Sequence, residues 1–252
     1  MEKQEALFKY LLRLGDNALI LGHRLSELCS WGPILEEDIA TTNISLDLIG
    51  QAQSLLKQAG DVEGKGRTAD DLAYKRAERD FYNALITEYP NGDFAVTMVR
   101  QFLYDTYEHF LYTALKESKD ENLAAIAVKS HKEVAYHLRH TSQWVIRMGD
   151  GTEESKQRAQ TALNDIWMFT EDLFATDESD EVLVKEGIAP DMATIKSQWE
   201  KHVKEVLTEA TLTMPEEQWQ QSGSKEGRHS EQLGFILAEM QYLPRAYPEA
   251  SW

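Results

Sequence analysis

His137 stands three residues after Val134 in the segment Glu133-Val134-Ala135-Tyr136-His137, inside a long stretch whose apolar residues recur at helical spacing. A helix carrying an acid and, three residues on, a histidine turns both to one side. Paired Glu-x-x-His segments of this kind, with one acid from each of two further helices, are how four-helix bundles hold two irons for oxygen chemistry. Here valine takes the acid's place. The residues three positions before His23, His109, His131, His140 and His202 are Ile20, Thr106, Val128, His137 and Trp199. Only His229 follows an acid, Glu226, and that pair brackets Gly227 in a glycine-rich segment where no long helix is predicted. The sequence contains no complete two-iron ligand set at this spacing.

Other residues allow weaker chemistry. Asp105 with His109, or His140 with Glu133, could act as general base pairs, although such pairs are also common on helix surfaces. The segment Gly-Ser-Lys-Glu-Gly-Arg-His-Ser, 223–230, could embrace a phosphate through Lys225 and Arg228, or simply be an interhelix loop with exposed basic residues. No Ser-His-Asp order, GxGxxG or paired CxxC occurs.

These residues depend on helices to position them. Leu7, Leu11, Leu14, Ala18, Leu21, Leu25 and Leu28 recur at spacings of four and three, which predicts a first helix to about Ser30. Pro33 breaks that rhythm. A second helix follows from about Leu35 to Ala59, with Ile44, Leu48, Gln51 and Leu55 on one face. Residues 60–71, rich in glycine and charge, read as a surface loop, and Arg76–Ile86 as a short helix. Asp93 can cap a third long helix in which Phe94, Met98, Phe102, Asp105, His109 and Tyr112 share a face. A fourth, about Glu121 to Met148, places Leu123, Ala127, Ser130, Val134, His137, Thr141 and Trp144 at core spacing. A fifth is expected near 155–175, a loop from the acidic Thr-Asp-Glu-Ser-Asp-Glu through Pro190, and two more helices over about 191–210 and 230–243. Two antiparallel pairs joined by one long connection match a ferritin-like bundle, so the expected class is all-α, a single ferritin-like domain over 1–252 with additional C-terminal helices.

Composition narrows the function. The 252 residues carry 43 acids against 26 bases, a formal charge of −17, which disfavours nonspecific binding to nucleic acid or an anionic membrane. No apolar run approaches the roughly 18 residues of a membrane span, and the first residues follow a helical rhythm rather than that of a signal peptide. A cytoplasmic protein is expected. The lone Cys29 excludes internal disulfides and multi-cysteine metal sites, and its apolar neighbours suggest a small core residue. Trp167, Phe169, Phe174, Trp199, Tyr242 and Trp252 mostly fit buried helix faces, and some could instead anchor a partner.

The blocks Arg-Leu-Gly-Asp-Asn-Ala-Leu-Ile-Leu-Gly-His-Arg-Leu-Ser-Glu-Leu, Asn-Ile-Ser-Leu-Asp-Leu-Ile-Gly-Gln-Ala-Gln, Tyr-Pro-Asn-Gly-Asp-Phe, Lys-Glu-Val-Ala-Tyr-His-Leu-Arg-His and the closing GSKEGRHSEQLGFILAEMQYLPRAYP span essentially the whole chain. In them the sequence resembles the C subunits of multicomponent phenylacetyl-CoA epoxidases, ferritin-like proteins of bacterial phenylacetate catabolism. The resemblance implies a related catalytic A subunit that holds the iron. The A subunit's Asp-Glu-Ala-Gly-His looks most like Asp47 to Gln51 here, putting Leu48 and Gln51 at ligand positions. Its Glu-Glu-x-x-His looks most like Glu133 to His137, putting Val134 at another. The acids of the remaining helices would fall at Glu27 and Asp105. By this resemblance Glu27, Asp105 and His137 keep donor groups, and a single metal held by those three is the reduced alternative. The other reading of His137 is a core histidine bonded to Glu133 or Asp105; Asp47 and Glu133 would be either inherited orienting acids or solvated flanks.

The expected function is therefore a non-catalytic structural subunit, with no catalytic, cofactor-binding or metal residue of its own. It would partner the catalytic A subunit of the epoxidase, which would hold the iron, along with the other subunits of the complex. An independent iron-dependent oxygenase with a reduced site, or a general helical scaffold, are the alternatives.

Overall fold

The structure is a computed structural model describing residues 1–216 and 219–250; Trp252 lies outside the described residues. Ten α-helices and five short 3-10 turns make up the regular structure of the described residues, with no strand among them. The all-α, ferritin-like expectation holds.

Helix α1 (Lys3–Ser26) buries its leucine stripe, and the chain leaves it through a turn in which Ser30 adopts φ 74°. The Asp38 carboxylate accepts from the backbone N–H of Ser30 (2.8 Å) and of Gly32 (3.2 Å), which ties that turn to the next helix. The first helix therefore stops short of the expected Ser30. Cys29, in the same turn, is exposed rather than a core residue.

Helix α2 (Leu35–Glu63) runs past the expected end at Ala59. Gly60 reads as a breaker in the sequence, but its missing side chain answers a packing demand: a Cβ there would sit 2.3 Å from the carbonyl oxygen of Arg67. The helix ends at Gly64, in the left-handed conformation at φ 71°. Residues 60–63 are thus helical, and the loop is shorter than predicted.

Arg76–Ile86 does not form the expected helix. After α3 (Ala69–Tyr74), capped by a reciprocal Thr68–Asp71 pair, the chain makes 3-10 turns at Glu78–Asp80 and Leu85–Glu88. Its donors are taken by α1 instead. Asp16 receives the Arg76 guanidinium and the Tyr82 N–H (3.0 Å), and Asn17 receives the Ala84 N–H (2.6 Å). A helix through this segment would need those N–H groups for itself.

Asp93 caps α4 (Phe94–Leu115) through the Val96 N–H at 3.0 Å, and Asp120 caps α5 (Glu121–Gly149) through Leu123 N–H at 2.8 Å. Helix α6 (Glu153–Ile166) ends before 3-10 turns at Trp167–Phe169 and Glu171–Phe174, so the expected fifth helix is shorter. The acidic stretch foreseen as a loop is instead the start of α7 (Glu178–Glu186), because Asp177 and Asp180 form a capping box. Asp180 also pairs with Arg13 of α1 at 2.5 Å, which anchors the helix to the bundle. Then come α8 (Met192–Glu209), α9 (Glu231–Met240) and α10 (Tyr242–Ala246).

The bundle is two antiparallel pairs. Helix α1 lies along α2, with Gly15 against Leu56 and Gly22 against Leu48; α4 lies along α5, and α2 meets α5. Helices α6 and α8 cover α4, while α7 covers α1. The interior where α2, α4 and α5 converge contains Leu48, Phe102, Leu115, Leu123 and Val134, all excluded from solvent.

Candidate functional site

The helical repeat decides which side chains reach this interior. On α2, Leu48 and Gln51 are three apart and both buried; on α5, Val134 and His137 repeat that spacing and are both fully buried. From α4, Asp105 and Glu108 enter on the same side, 0% and 3% exposed. Glu27 is not among them. It sits just beyond the end of α1 with its side chain 38% exposed, accepting from Arg24 (2.8 Å) and Asn91 (3.1 Å). It lies beside the leucine stripe rather than on it, and its carboxylate is held by the buried Arg24 and Asn91 rather than joining the polar groups of α2, α4 and α5.

Each polar member has a defined partner. His137 Nε2 lies 3.0 Å from Asp47 Oδ2; a carboxylate accepts, so Nε2 carries the proton in that bond. Neither Glu133 nor Asp105 makes a hydrogen bond to the ring, the two partners foreseen. Glu133 instead accepts from Gln51 Nε2 at 3.0 Å, and the Gln51 carbonyl oxygen accepts from Tyr112 at 3.5 Å. Asp105 accepts from Gln101 (2.7 Å) and from Thr141 (3.0 Å), which reaches it from α5. Glu108 Oε1 accepts from Tyr104 at 3.3 Å, while Oε2 is buried without a partner.

The electrostatics follow from burial. Desolvation pushes the Asp105 carboxyl up to about 6 against the opposing pull of His137, Gln101 and Thr141. Glu108 is raised well above its ordinary value, first by burial and then by the negative charge of Asp105. Tyr104 moves the same way, through burial and then Glu108. This interior resists accumulating negative charge.

One donor atom from each of Asp105, Glu108 and His137 lies within 4.8 Å of the other two. Leu48 and Val134 offer no donor atom, and Gln51 only a neutral amide. Sequence reasoning placed Asp105 and His137 correctly in the interior but missed Glu108. The signal was present, since Asp105-Thr106-Tyr107-Glu108 puts two acids one helical turn apart.

The other candidate chemistries dissolve into structural roles. His109 makes no bond to Asp105; its ring lies 5.1 Å from that of His131. His140 pairs with Glu37 (3.2 Å), which also accepts from Trp144 at 2.8 Å. The basic groups of 223–230 are engaged by acids: Lys225 lies 3.6 Å from Asp180, Arg228 2.5 Å from Glu226 and His229 2.6 Å from Glu88. Burial pulls Lys225 down to about 7. For His229 burial also lowers the pKa, but the hydrogen bonds it donates to Glu88 and to the Phe81 carbonyl, with the charge of Glu88, outweigh it and the net shift is upward.

Two comparisons extend this geometry. The family model described as "Phenylacetic acid catabolic protein" matches residues 1–252. The C subunit of the 1,2-phenylacetyl-CoA epoxidase of Escherichia coli (strain K12) is 48% identical over 246 residues, covering 98% of this chain and 99% of that protein.

Proposed function

Because the chain belongs to the family of phenylacetic acid catabolic proteins, we propose that it is the non-catalytic structural subunit of a multicomponent phenylacetyl-CoA 1,2-epoxidase, supporting an iron-bearing catalytic A subunit in the cytoplasm. The observation that carries this reading is the pair Leu48 and Val134, hydrocarbon side chains with no exposure at interior positions where the resemblance implies acidic ligands. Two ferrous or ferric ions in a low-dielectric interior need several anionic oxygens to offset their charge. Leucine, valine and an amide do not provide them. The donor set does not fit two irons, and the iron, the oxygen activation and the epoxidation belong on this reading to the A subunit.

The surface supports such a role within an assembly. Leu35, Ile39 and Leu46 lie along the outer side of α2, 71%, 51% and 61% exposed, and Trp31 and Ile34 extend the apolar strip into the preceding turn. Phe235, Tyr242, Leu243 and Tyr247 make a second exposed apolar group around α9 and α10. Contiguous apolar surface of this kind marks contacts with other proteins. Among the described residues no helix is long and apolar enough to cross a membrane.

Coexpression with the A subunit, followed by size-exclusion chromatography, metal analysis of each fraction and oxygen-consumption assays, tests the proposal. The expected result is coelution with that iron-bearing partner and no turnover by this chain alone. Stoichiometric iron with reductant-driven oxygen consumption in the isolated chain would make it an independent oxygenase; indifference to the A subunit would make it an unrelated scaffold.

A further inference from the structure

We propose that His229 and Glu88 form a proton-dependent latch, which fastens the C-terminal segment 223–246 to the connection 76–88 while the histidine is charged and loosens it when the proton leaves.

The geometry of the ring carries the inference. His229 Nδ1 lies 2.6 Å from Glu88 Oε1, and Nε2 lies 2.8 Å from the backbone carbonyl oxygen of Phe81. A carbonyl oxygen only accepts, and so does an ionised carboxylate. Glu88 is held in that form by further donors: Asn83 Nδ2 on Oε1 (3.0 Å), and the Ser230 N–H (2.8 Å) and hydroxyl (2.6 Å) on Oε2. Both ring nitrogens therefore carry protons, and the pair is an imidazolium against a carboxylate. Both side chains are 0% exposed, so no water can take over a lost contact. Removing the proton turns a nitrogen lone pair toward an oxygen lone pair in a buried site, where an unmade hydrogen bond is costly.

The pair sits where the C-terminal segment is fastened. Ser230 is the N-cap of α9, so its contact with Glu88 places a negative charge at that helix's positive end. Just before it, Gly227 passes so close to the connection that a Cβ would lie 2.2 Å from the carbonyl oxygen of Arg79. Beyond it, Leu233, Ile236 and Leu237 are buried, and Gln241 and Arg245 donate to the Arg76 carbonyl at 3.1 and 2.8 Å. The exposed Phe235, Tyr242, Leu243 and Tyr247 ride on this segment, so the latch governs how firmly that apolar surface is presented.

The charges around the pair support the protonated state. Asp16 of α1 adds to the pull of Glu88 on the His229 proton, and together with the hydrogen bonds they outweigh the cost of burial. Arg76 pairs with Asp16, Arg24 donates to the Glu88 backbone carbonyl (3.1 and 2.9 Å), and Glu78 flanks Gly234 of α9. Within the segment itself Arg228 is paired with Glu226. Lys225, beside Asp180, has its pKa lowered by burial and so acts in the opposite sense. The His229 pKa is raised above its ordinary 6.5, so the stability it contributes is full below that pH and is lost as pH rises through the folded value. The inference does not depend on the assignment to the epoxidase.

The test uses the full chain. Histidine 15N NMR over a pH titration reads the charge of His229. Hydrogen exchange, corrected for its intrinsic pH dependence, reads opening of the segment. The expected result is that His229 remains imidazolium beyond pH 6.5. Protection in residues 231–246 falls by roughly tenfold per pH unit from about pH 6.5 to the His229 titration point and then levels, while α4 and α5 keep theirs. His229→Gln, which cannot hold the charge, flattens this dependence, and Lys225→Met leaves it in place. A His229 that titrates at or below about 6.5, protection that does not change with pH, or a slope that survives in His229→Gln overturns the proposal. If His229→Gln does not fold, the unaltered chain decides. Coincidence of the protection change with the 15N titration supports the latch, and separation by more than about one pH unit overturns it.

Discussion

Gln51 on α2 donates a hydrogen bond to Glu133 on α5, 3.0 Å away, at the height where the two helices meet. The amide satisfies a carboxylate that a histidine at this position could meet only in its protonated or correct tautomeric form. Gln51→Glu sets like charges against each other and should cost about 1–3 kcal/mol. Adding Glu133→Gln restores a donor and should recover most of the loss. Urea unfolding of the two single variants and the double variant checks this; independent, additive effects would mean the pair is not coupled.

Leu48→Glu and Val134→Glu each introduce an ionisable group into an interior that already raises the carboxyls of Asp105 and Glu108. Each should destabilise the fold by roughly 3–5 kcal/mol, the scale of an uncompensated buried charge, without producing oxygenase activity. Thermal melts report the loss. Unchanged melting in either variant contradicts the buried placement of these residues.

Asp105 gives the chain a pH dependence of definite sign. Its folded pKa, raised by burial to about 6, exceeds the ordinary value of about 4, so the folded state binds more protons in between. The stability it contributes is fully present below about pH 4 and is lost as pH rises through 6. Asp105→Asn should remove this decline, seen as a flatter profile of unfolding free energy over that window.

His109, His131 and His202 act in the opposite sense. Burial lowers His109, His131 and His202, and His109 is lowered further by the nearby positive charges of His131, His202 and Lys116. The unfolded chain then binds more protons, so their stabilising contribution is present above about pH 6.5 and lost as pH falls. His109→Gln should make acid unfolding less steep below that pH. An unaltered acid limb would show that His109 titrates normally in the fold.

Asp16 anchors the crossover. It is fully buried, pairs with Arg76 and accepts from the Tyr82 N–H at 3.0 Å. Asp16→Ala leaves a buried guanidinium and a backbone donor unmet and should cost roughly 3–5 kcal/mol. Hydrogen exchange should show the loss first in residues 76–88, before the long helices open.

The sequence by itself determined the four long helices, because a stripe such as Leu7 to Leu25 is a local periodicity that any core-facing helix must have. It also determined that Leu48 and Val134 face inward and carry no charge, since helical spacing follows from 3.6 residues per turn and side-chain chemistry is independent of packing. Tertiary structure decided what local rules cannot express. Gly60 stands inside a helix where Arg67 passes too close for any side chain, Arg76–Ile86 forgoes a helix because Asp16 and Asn17 capture its donors, and Glu27 is held by Arg24 and Asn91 away from the polar interior. His137 could have met Glu133, Asp105 or Asp47, and only the meeting of α2 with α5 selects Asp47. Partner choice is long-range: it depends on which helices share a seam, a three-dimensional fact that spacing along one chain does not contain.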